Sequence, residues 1–203
     1  MIVIVDYGVG NVGSVLNMLR KCGARARISG HPEEIRAADK LILPGVGHFG
    51  RGMDQLEATG LIPLLTEQAM VVRKPLLGIC LGMQLMLCGS EESDRPGLGW
   101  VAGFTHRFPD RPDLLVPHMG WNLIHPRAGA RMFAPPGVEP RERFYFVHSY
   151  HACMDDARSV AATCRYGIEF TAAFEVGNLF GVQFHPEKSH HFGMALLQRF
   201  ASP

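Results

Sequence analysis

Three short apolar runs, MIVIVD, KLILP and KPLLGIC, each end in a turn and lead into a segment with helical spacing. This rhythm constrains the fold more than any other feature of the chain. MIVIVD predicts a buried strand. NVGSVLNMLRKCG predicts a helix with Asn11 as N-cap and Gly23 as its stop. ARARIS and HPEEIRAAD repeat the strand and helix. KLILP runs into the glycine-rich PGVGHFGRG, and a helical region is expected from about Met53 to Val72. KPLLGIC is a fourth strand, followed by LGMQLMLCG as a helix closed by Gly89. Apolar strands alternating with helices predict an α/β fold with a mainly parallel sheet flanked by helices.

The pattern changes in the second half. WVAGFTHRF, WNLIH, RFYFVHSYHA, SVAATCRYG, FTAAFEVG and NLFGVQF are short strands between turns. They predict added antiparallel strands on the same sheet, within a single domain spanning 1–203. A last helix is expected from Ser189 to about Phe200, because Phe192, Leu196, Leu197 and Phe200 recur at helical spacing.

Composition narrows the function classes. With 203 residues, 47% apolar and 19% charged, the chain is long enough for a substantial core and is not of the disordered type. Its net charge of +1, with signs interspersed, argues against nucleic-acid or membrane-surface partners. The opening lacks the features of a signal peptide, and the longest quasi-apolar run, Leu76 to Cys88, is too short to span a bilayer. A cytoplasmic location is the expectation. The cysteines, Cys22, Cys80, Cys88, Cys153 and Cys164, are odd in number and contain no CxxC, so neither a disulfide framework nor a zinc site is expected. No metal or cofactor is implied.

GVGNVG, at Gly8, Gly10 and Gly13, formally matches a dinucleotide fingerprint. That mechanism also needs an acidic residue ending the second strand, and Ile28-Ser29-Gly30 stands there instead. Glu33 and Glu34 fall beyond it on a predicted helix. The motif is therefore read as a tight turn at the strand's carboxyl end, where α/β sheets build sites.

LLGICLGMQLM carries the chemistry. Gly-x-Cys-x-Gly between a strand and a helix is the thiol version of a nucleophile elbow. The turn lifts Cys80 to the helix N-terminus, where the dipole and a nearby imidazolium favour thiolate. The backbone N–H of Leu81 follows the nucleophile, at the position of an oxyanion donor. A purely structural buried thiol would not need both flanking glycines. Cys88, on the same predicted helix, lacks that context and is assigned to the core.

A thiolate needs a base and a group to orient it. GVQFHPEKS supplies His185 and Glu187, placed by strand spacing on one side, with Pro186 stiffening the link. His190 and His191 are assigned to solvent, and His48, His118, His148 and His151 have no independent claim as acid or base. PGVG, Pro44 to Gly47, lies at the same predicted sheet edge and can present a second oxyanion N–H.

GICLGMQ with a distant FHPEKS resembles the class I (triad) glutamine amidotransferases. DYGVGN, PGVGHFG, PHMGWN and YFVHSY narrow the resemblance to the glutaminase subunits of imidazole glycerol phosphate synthase, over nearly the whole chain. The resemblance implies that Cys80 attacks the glutamine amide and that His185, oriented by Glu187, moves the protons. It implies oxyanion N–H groups from Leu81 and the Val46-Gly47 region. Gln84 and the backbone around Gly45, Gly82, Ser149 and Tyr150 would hold the substrate's α-amino and carboxylate groups. The implied partner is a (β/α)₈ barrel cyclase in a heterodimer, to which ammonia passes for the synthesis of imidazole glycerol phosphate and an aminoimidazole carboxamide ribonucleotide. Asn11, Met119, Trp121, Asn122, Tyr145 and Lys188 would face that barrel, and a turn of the PGVG peptide would complete the oxyanion hole.

The chain departs from the family pattern at Gly13, where a larger, often basic residue is expected, and at His48, where a small one is. The rivals are a glutaminase for another acceptor, a cysteine hydrolase acting alone, and a non-catalytic binding module. The last would be expected to lack Cys80, His185 or Glu187, and all three are present.

Overall fold

A computed structural model describes residues 1–134, 137 and 141–202. In chain order the elements are β1 (Ile2–Val5), α1 (Val12–Lys21), β2 (Ala26–Ser29), α2 (Pro32–Ala37), β3 (Lys40–Gly45), α3 (Phe49–Ala58), α4 (Ile62–Thr66), β4 (Leu76–Cys80) and α5 (Leu81–Leu85). The second half adds β5 (Gly103–Arg107), β6 (His118–Pro126), β7 (Arg143–His148), β8 (Tyr150–Met154), β9 (Val160–Tyr166), β10 (Ile168–Val176), β11 (Leu179–Val182) and α6 (His190–Ala201).

The strands form one sheet in the order β2-β1-β3-β4-β11-β10-β9-β6-β7, with β8 joined to β10 and β5 joined to β8. The pairs from β2 across to β11 are parallel, and those beyond β11 are antiparallel. Along β1, Ile2 and Ile4 enter one apolar cluster with α1 and α6, while Val3 and Val5 enter the other with α3, α4 and α5. Strands buried on both faces in this way explain the near-continuous apolar runs of the first half.

The segment expected as one helix from Met53 to Val72 is broken. His48 caps α3 through Nδ1, which accepts from Gly50 N at 3.1 Å, so the helix starts earlier. It ends at Thr59-Gly60, and Pro63, in the first turn of α4, restarts it. A π-turn over Glu67–Val71 follows.

The helix after Cys80 is also shorter than expected and Gly89 does not close it. Backbone N–H groups of Leu98, Trp100 and Gly99 bond the carbonyls of Leu85, Met86 and Leu87 at 2.8–3.0 Å, taking the place of further helical turns. This overturns the assignment of Cys88 to the core: off the helix, its side chain is exposed. RFYFVHSYHA divides at Ser149 into β7, which pairs with β6, and β8, which pairs with β5 and β10.

Candidate active site

The site forms where β3, β4 and β11 end. Parallel register puts Gly45 opposite Cys80 and Val182 opposite Ile79, so three loops leave the sheet side by side. The first carries Val46 and Gly47, the second Cys80, and the third His185 and Glu187.

Cys80 has φ +53° and ψ −111°. A non-glycine residue held there costs about 1–3 kcal/mol and persists only when its surroundings impose it. The flanking glycines show how. A Cβ on Gly82 would lie 1.8 Å from the Leu43 carbonyl oxygen, and one on Gly78 would lie 2.7 Å from the Met83 backbone nitrogen. Both glycines are demanded by backbone passing close by. The five-residue α5 gives little macrodipole to favour a thiolate. His185 lies beside Cys80 at the cleft, close enough for the thiol to act on the imidazole.

His185 is buried, and its Nδ1 lies 2.7 Å from Glu187 Oε1. The pair does not sit on strand spacing as expected. β11 stops at Val182, and Pro186–Lys188 form a 3-10 turn that brings the carboxylate back onto the ring. The His185 backbone is clamped by Tyr145 O, which accepts from His185 N at 2.9 Å. Ser189 Oγ donates to His185 O at 2.6 Å and accepts from Tyr145 N at 3.0 Å. Burial opposes a charge on the imidazole, but hydrogen bonds to Cys80 and Glu187, reinforced by their charges, raise its pKa to about 10. The ring therefore holds a proton at neutral pH.

The loop after β3 is anchored on both sides of its exposed tip. Tyr7 Oη donates to Pro44 O at 2.7 Å, and Phe49 N donates to Glu92 Oε2 at 2.7 Å. Between them Val46, Gly47 and His48 are exposed. The GVGNVG turn packs against this loop: a Cβ on Gly10 would meet Pro44 at 3.2 Å.

A cleft of about 660 Å³ opens over Cys80. Val46, Gly47, Leu81, Gln84, Ser149, Tyr150 and His185 line it, with Asn11 and Lys188 at the same opening. Gly45 and Gly82 lie beneath, so close that a Cβ on Gly45 would be 2.7 Å from Gly82 N. Met119 and Trp121 are exposed on β6, opposite Val147 and Tyr145 of β7. The Trp121 and Tyr145 rings meet edge to face at 6.4 Å, and the Lys188 ammonium lies 5.7 Å above Tyr145. Asn122 differs from this group, since its amide turns inward and donates to Arg165 O at 3.0 Å.

Three features were missed from sequence. Glu92 is the one acidic side chain among the described residues lining the cleft. Gln183, fully buried, accepts from Gln84 Nε2 at 2.9 Å and points its own amide nitrogen at Cys80 Sγ, 3.8 Å away. His148 reaches the same cleft from β7. Gln183 left a signal, a glutamine directly after the apolar run LFGV and two residues before His185. Glu92 left none, because it comes from an irregular loop.

A thiol on a sharp strand-to-helix turn, beside an imidazole held 2.7 Å from a buried carboxylate, is the arrangement that cysteine-nucleophile acyl transfer requires. The chain belongs to the glutamine amidotransferase class-I family, which it matches over residues 3–202. It is 51% identical over 200 residues to an imidazole glycerol phosphate synthase subunit HisH 2 of Pseudomonas aeruginosa, covering 98% of each chain. It is 46% identical, with the same coverage, to the HisH 2 subunit of Methanococcus maripaludis. Among solved structures it superposes on a chain of PurLQS from Thermotoga maritima with a TM-score of 0.71 at 19% identity, covering 98% of this chain and 96% of that one. That likeness bears out the α/β class I amidotransferase fold.

Proposed function

We propose that this chain is the glutaminase subunit of an imidazole glycerol phosphate synthase, a single amidotransferase domain working in the cytoplasm. The observation that carries the reading is the Cys80–His185–Glu187 chain at the floor of the cleft, in a protein about half identical to a HisH subunit. No helix among the described residues is long and apolar enough to cross a membrane.

The geometry supports the following chemistry. The Cys80 thiolate adds to the δ-carbonyl carbon of glutamine, and negative charge moves onto the carbonyl oxygen. The N–H of Leu81 and a peptide N–H at Val46-Gly47 receive that oxyanion. His185, already protonated, gives its proton to the amide nitrogen as the C–N bond breaks and ammonia leaves. The thioester then meets water: His185 takes a water proton, the new C–O bond forms, and the C–S bond breaks to release glutamate. Glu187 keeps the imidazole oriented and stabilises its positive charge. Gln84 and the backbone around Gly45, Gly82, Ser149 and Tyr150 hold the amino-acid end of the substrate. Glu92 supplies the negative charge its α-ammonium group needs.

Ammonia then passes to a (β/α)₈ barrel cyclase, the second subunit of a heterodimer, which makes imidazole glycerol phosphate and an aminoimidazole carboxamide ribonucleotide. The exposed Met119 and Trp121, with Tyr145, Lys188 and Asn11 beside the cleft mouth, form the face that meets it. Exposed aromatic anchors are suited to this use. Asn122 contributes from beneath that face rather than at it. A turn of the exposed Val46-Gly47 peptide on partner binding completes the oxyanion hole.

The test is glutamate release from glutamine by the chain alone and then with its cognate cyclase and the cyclase's nucleotide ligand. Release that is strong only in the full mixture supports a partner-gated glutaminase. Equal release without the partner makes it a hydrolase acting alone.

A further inference from the structure

A second polar chain runs behind the cleft, and none of it belongs to the triad. It begins on β6 at Asn122, whose amide nitrogen lies 3.4 Å from His118 Nε2. His118 Nδ1 lies 3.0 Å from His148 Nε2, and His148 Nδ1 lies 2.8 Å from Tyr150 O. Gln84 Nε2 reaches the same carbonyl at 3.1 Å. Both rings are buried in aromatic surroundings: His118 stacks between Phe146 and Tyr166, and His148 packs on Phe108 and Phe170.

Donor and acceptor chemistry fixes the direction of every link. A carbonyl oxygen only accepts, so His148 carries its hydrogen on Nδ1 and accepts at Nε2. His118 must then donate from Nδ1 and accept at Nε2, where the Asn122 amide donates. Protonating either ring would set N–H against N–H. Burial also keeps both neutral, lowering the pKa of His118 to about 4 and that of His148 to about 3.

The consequence reaches the substrate. Tyr150 O receives two donors, one from His148 and one from Gln84. Both hydrogens of the Gln84 amide are thereby committed, one to Tyr150 O and one to Gln183 Oε1. The polar atom Gln84 has left for the cleft is Oε1.

We propose that His148, itself held by His118, is a positioning residue for glutamine: through the Tyr150 carbonyl it fixes the Gln84 amide so that oxygen, an acceptor, faces the substrate's N–H groups. This deepens the reading of the same site proposed above and rests on it. The chain starts on the strand that carries Met119 and Trp121, on the side of that strand opposite them.

The experiment uses the complex with the cyclase and compares wild type with His148→Phe, which keeps ring volume in the cage but removes the donor to Tyr150 O. Loss of one hydrogen bond behind Gln84 should raise the KM for glutamine roughly tenfold, with kcat changed less than about twofold. Alkylation of Cys80 by iodoacetamide, which has no α-amino group, should proceed at the wild-type rate. In a Gln84→Ala background His148→Phe should add nothing, since the two act through one amide. An unchanged KM, a parallel fall in alkylation rate, or additive effects of the two substitutions would overturn the proposal. Should circular dichroism show His148→Phe unfolded, His118→Phe carries the test, with a smaller KM rise of the same kind expected and an unchanged KM again overturning it. A wild-type complex that releases no glutamate while Cys80 still alkylates would reject the functional reading itself, and the inference with it.

Discussion

The parallel and antiparallel parts of the sheet build the site in different ways. In the parallel part, β3, β4 and β11 point the same way, so direction alone delivers the Val46-Gly47 loop, Cys80 and His185 to one edge. In the antiparallel part, neighbouring strands run in opposite directions and no common edge exists. There the strand's two faces do the sorting. Along β6, His118 faces inward while Met119 and Trp121 face out, and Asn122 turns in again. The lesson is that one half gathers Cys80 and His185 by strand polarity, and the other sorts buried from exposed side chains by residue alternation.

Four changes test that division. Cys80→Ala has the largest expected effect, abolishing glutamine-dependent turnover while ammonia-dependent cyclisation and partner binding persist. Loss of the ammonia-dependent reaction, assayed in the same complex, would break the division of labour.

Glu187→Gln comes next, with kcat expected to fall by roughly 10²–10⁴-fold. It also bears on stability. The His185 pKa is raised to about 10 from an ordinary 6.5, so its contribution is fully present below about pH 6.5 and is lost as pH rises toward 10. Urea midpoints measured from pH 6 to pH 10 should fall less steeply in Glu187→Gln than in wild type. Identical slopes would show that this carboxylate does not hold the proton on His185.

Trp121→Ala belongs to the other half and should leave the parallel half untouched. An exposed aromatic at the centre of an interface is worth about 2 kcal/mol or more, so affinity for the cyclase should weaken at least about thirtyfold. Iodoacetamide alkylation of Cys80 in the free subunit should not change. Calorimetric titration with the cyclase measures the first, and a slower alkylation would show the two halves to be linked in the free chain.

Cys88→Ser sits at the bottom of the scale. Because the side chain is exposed, its effect on stability should lie within about 0.5 kcal/mol. A larger loss in a thermal melt would place that thiol back in the core.

What could be read from sequence follows the same partition. Cys80, its two glycines, and His185 with Glu187 are legible because a strained turn and a base with its orienting carboxylate need particular residue types at short spacing. The strands of the first half are legible because burial on both faces makes them continuously apolar. Cys88 was misplaced because the end of α5 is set by backbone donors from Leu98, Gly99 and Trp100, a contact invisible to helical periodicity. The split at Ser149 was missed for a related reason: RFYFVHSYHA alternates without a break, and only its pairing with different strands divides it. His148 and Glu92 come from elements whose approach to the cleft depends on the whole sheet.

The position of β11 has a consequence for how the enzyme comes into being. It is the last strand among the described residues, yet it lies in the middle of the sheet, between β4 and β10. A ribosome that has made everything through β10 has released Cys80 without His185, the base in the proposed mechanism, and β4 still has an open edge. Pairing of such distant segments is slow relative to local helix formation. In the proposed mechanism the nascent protein therefore carries an unarmed thiol from the synthesis of Cys80 until that of His185, and the step that closes the sheet is the same step that switches the chemistry on.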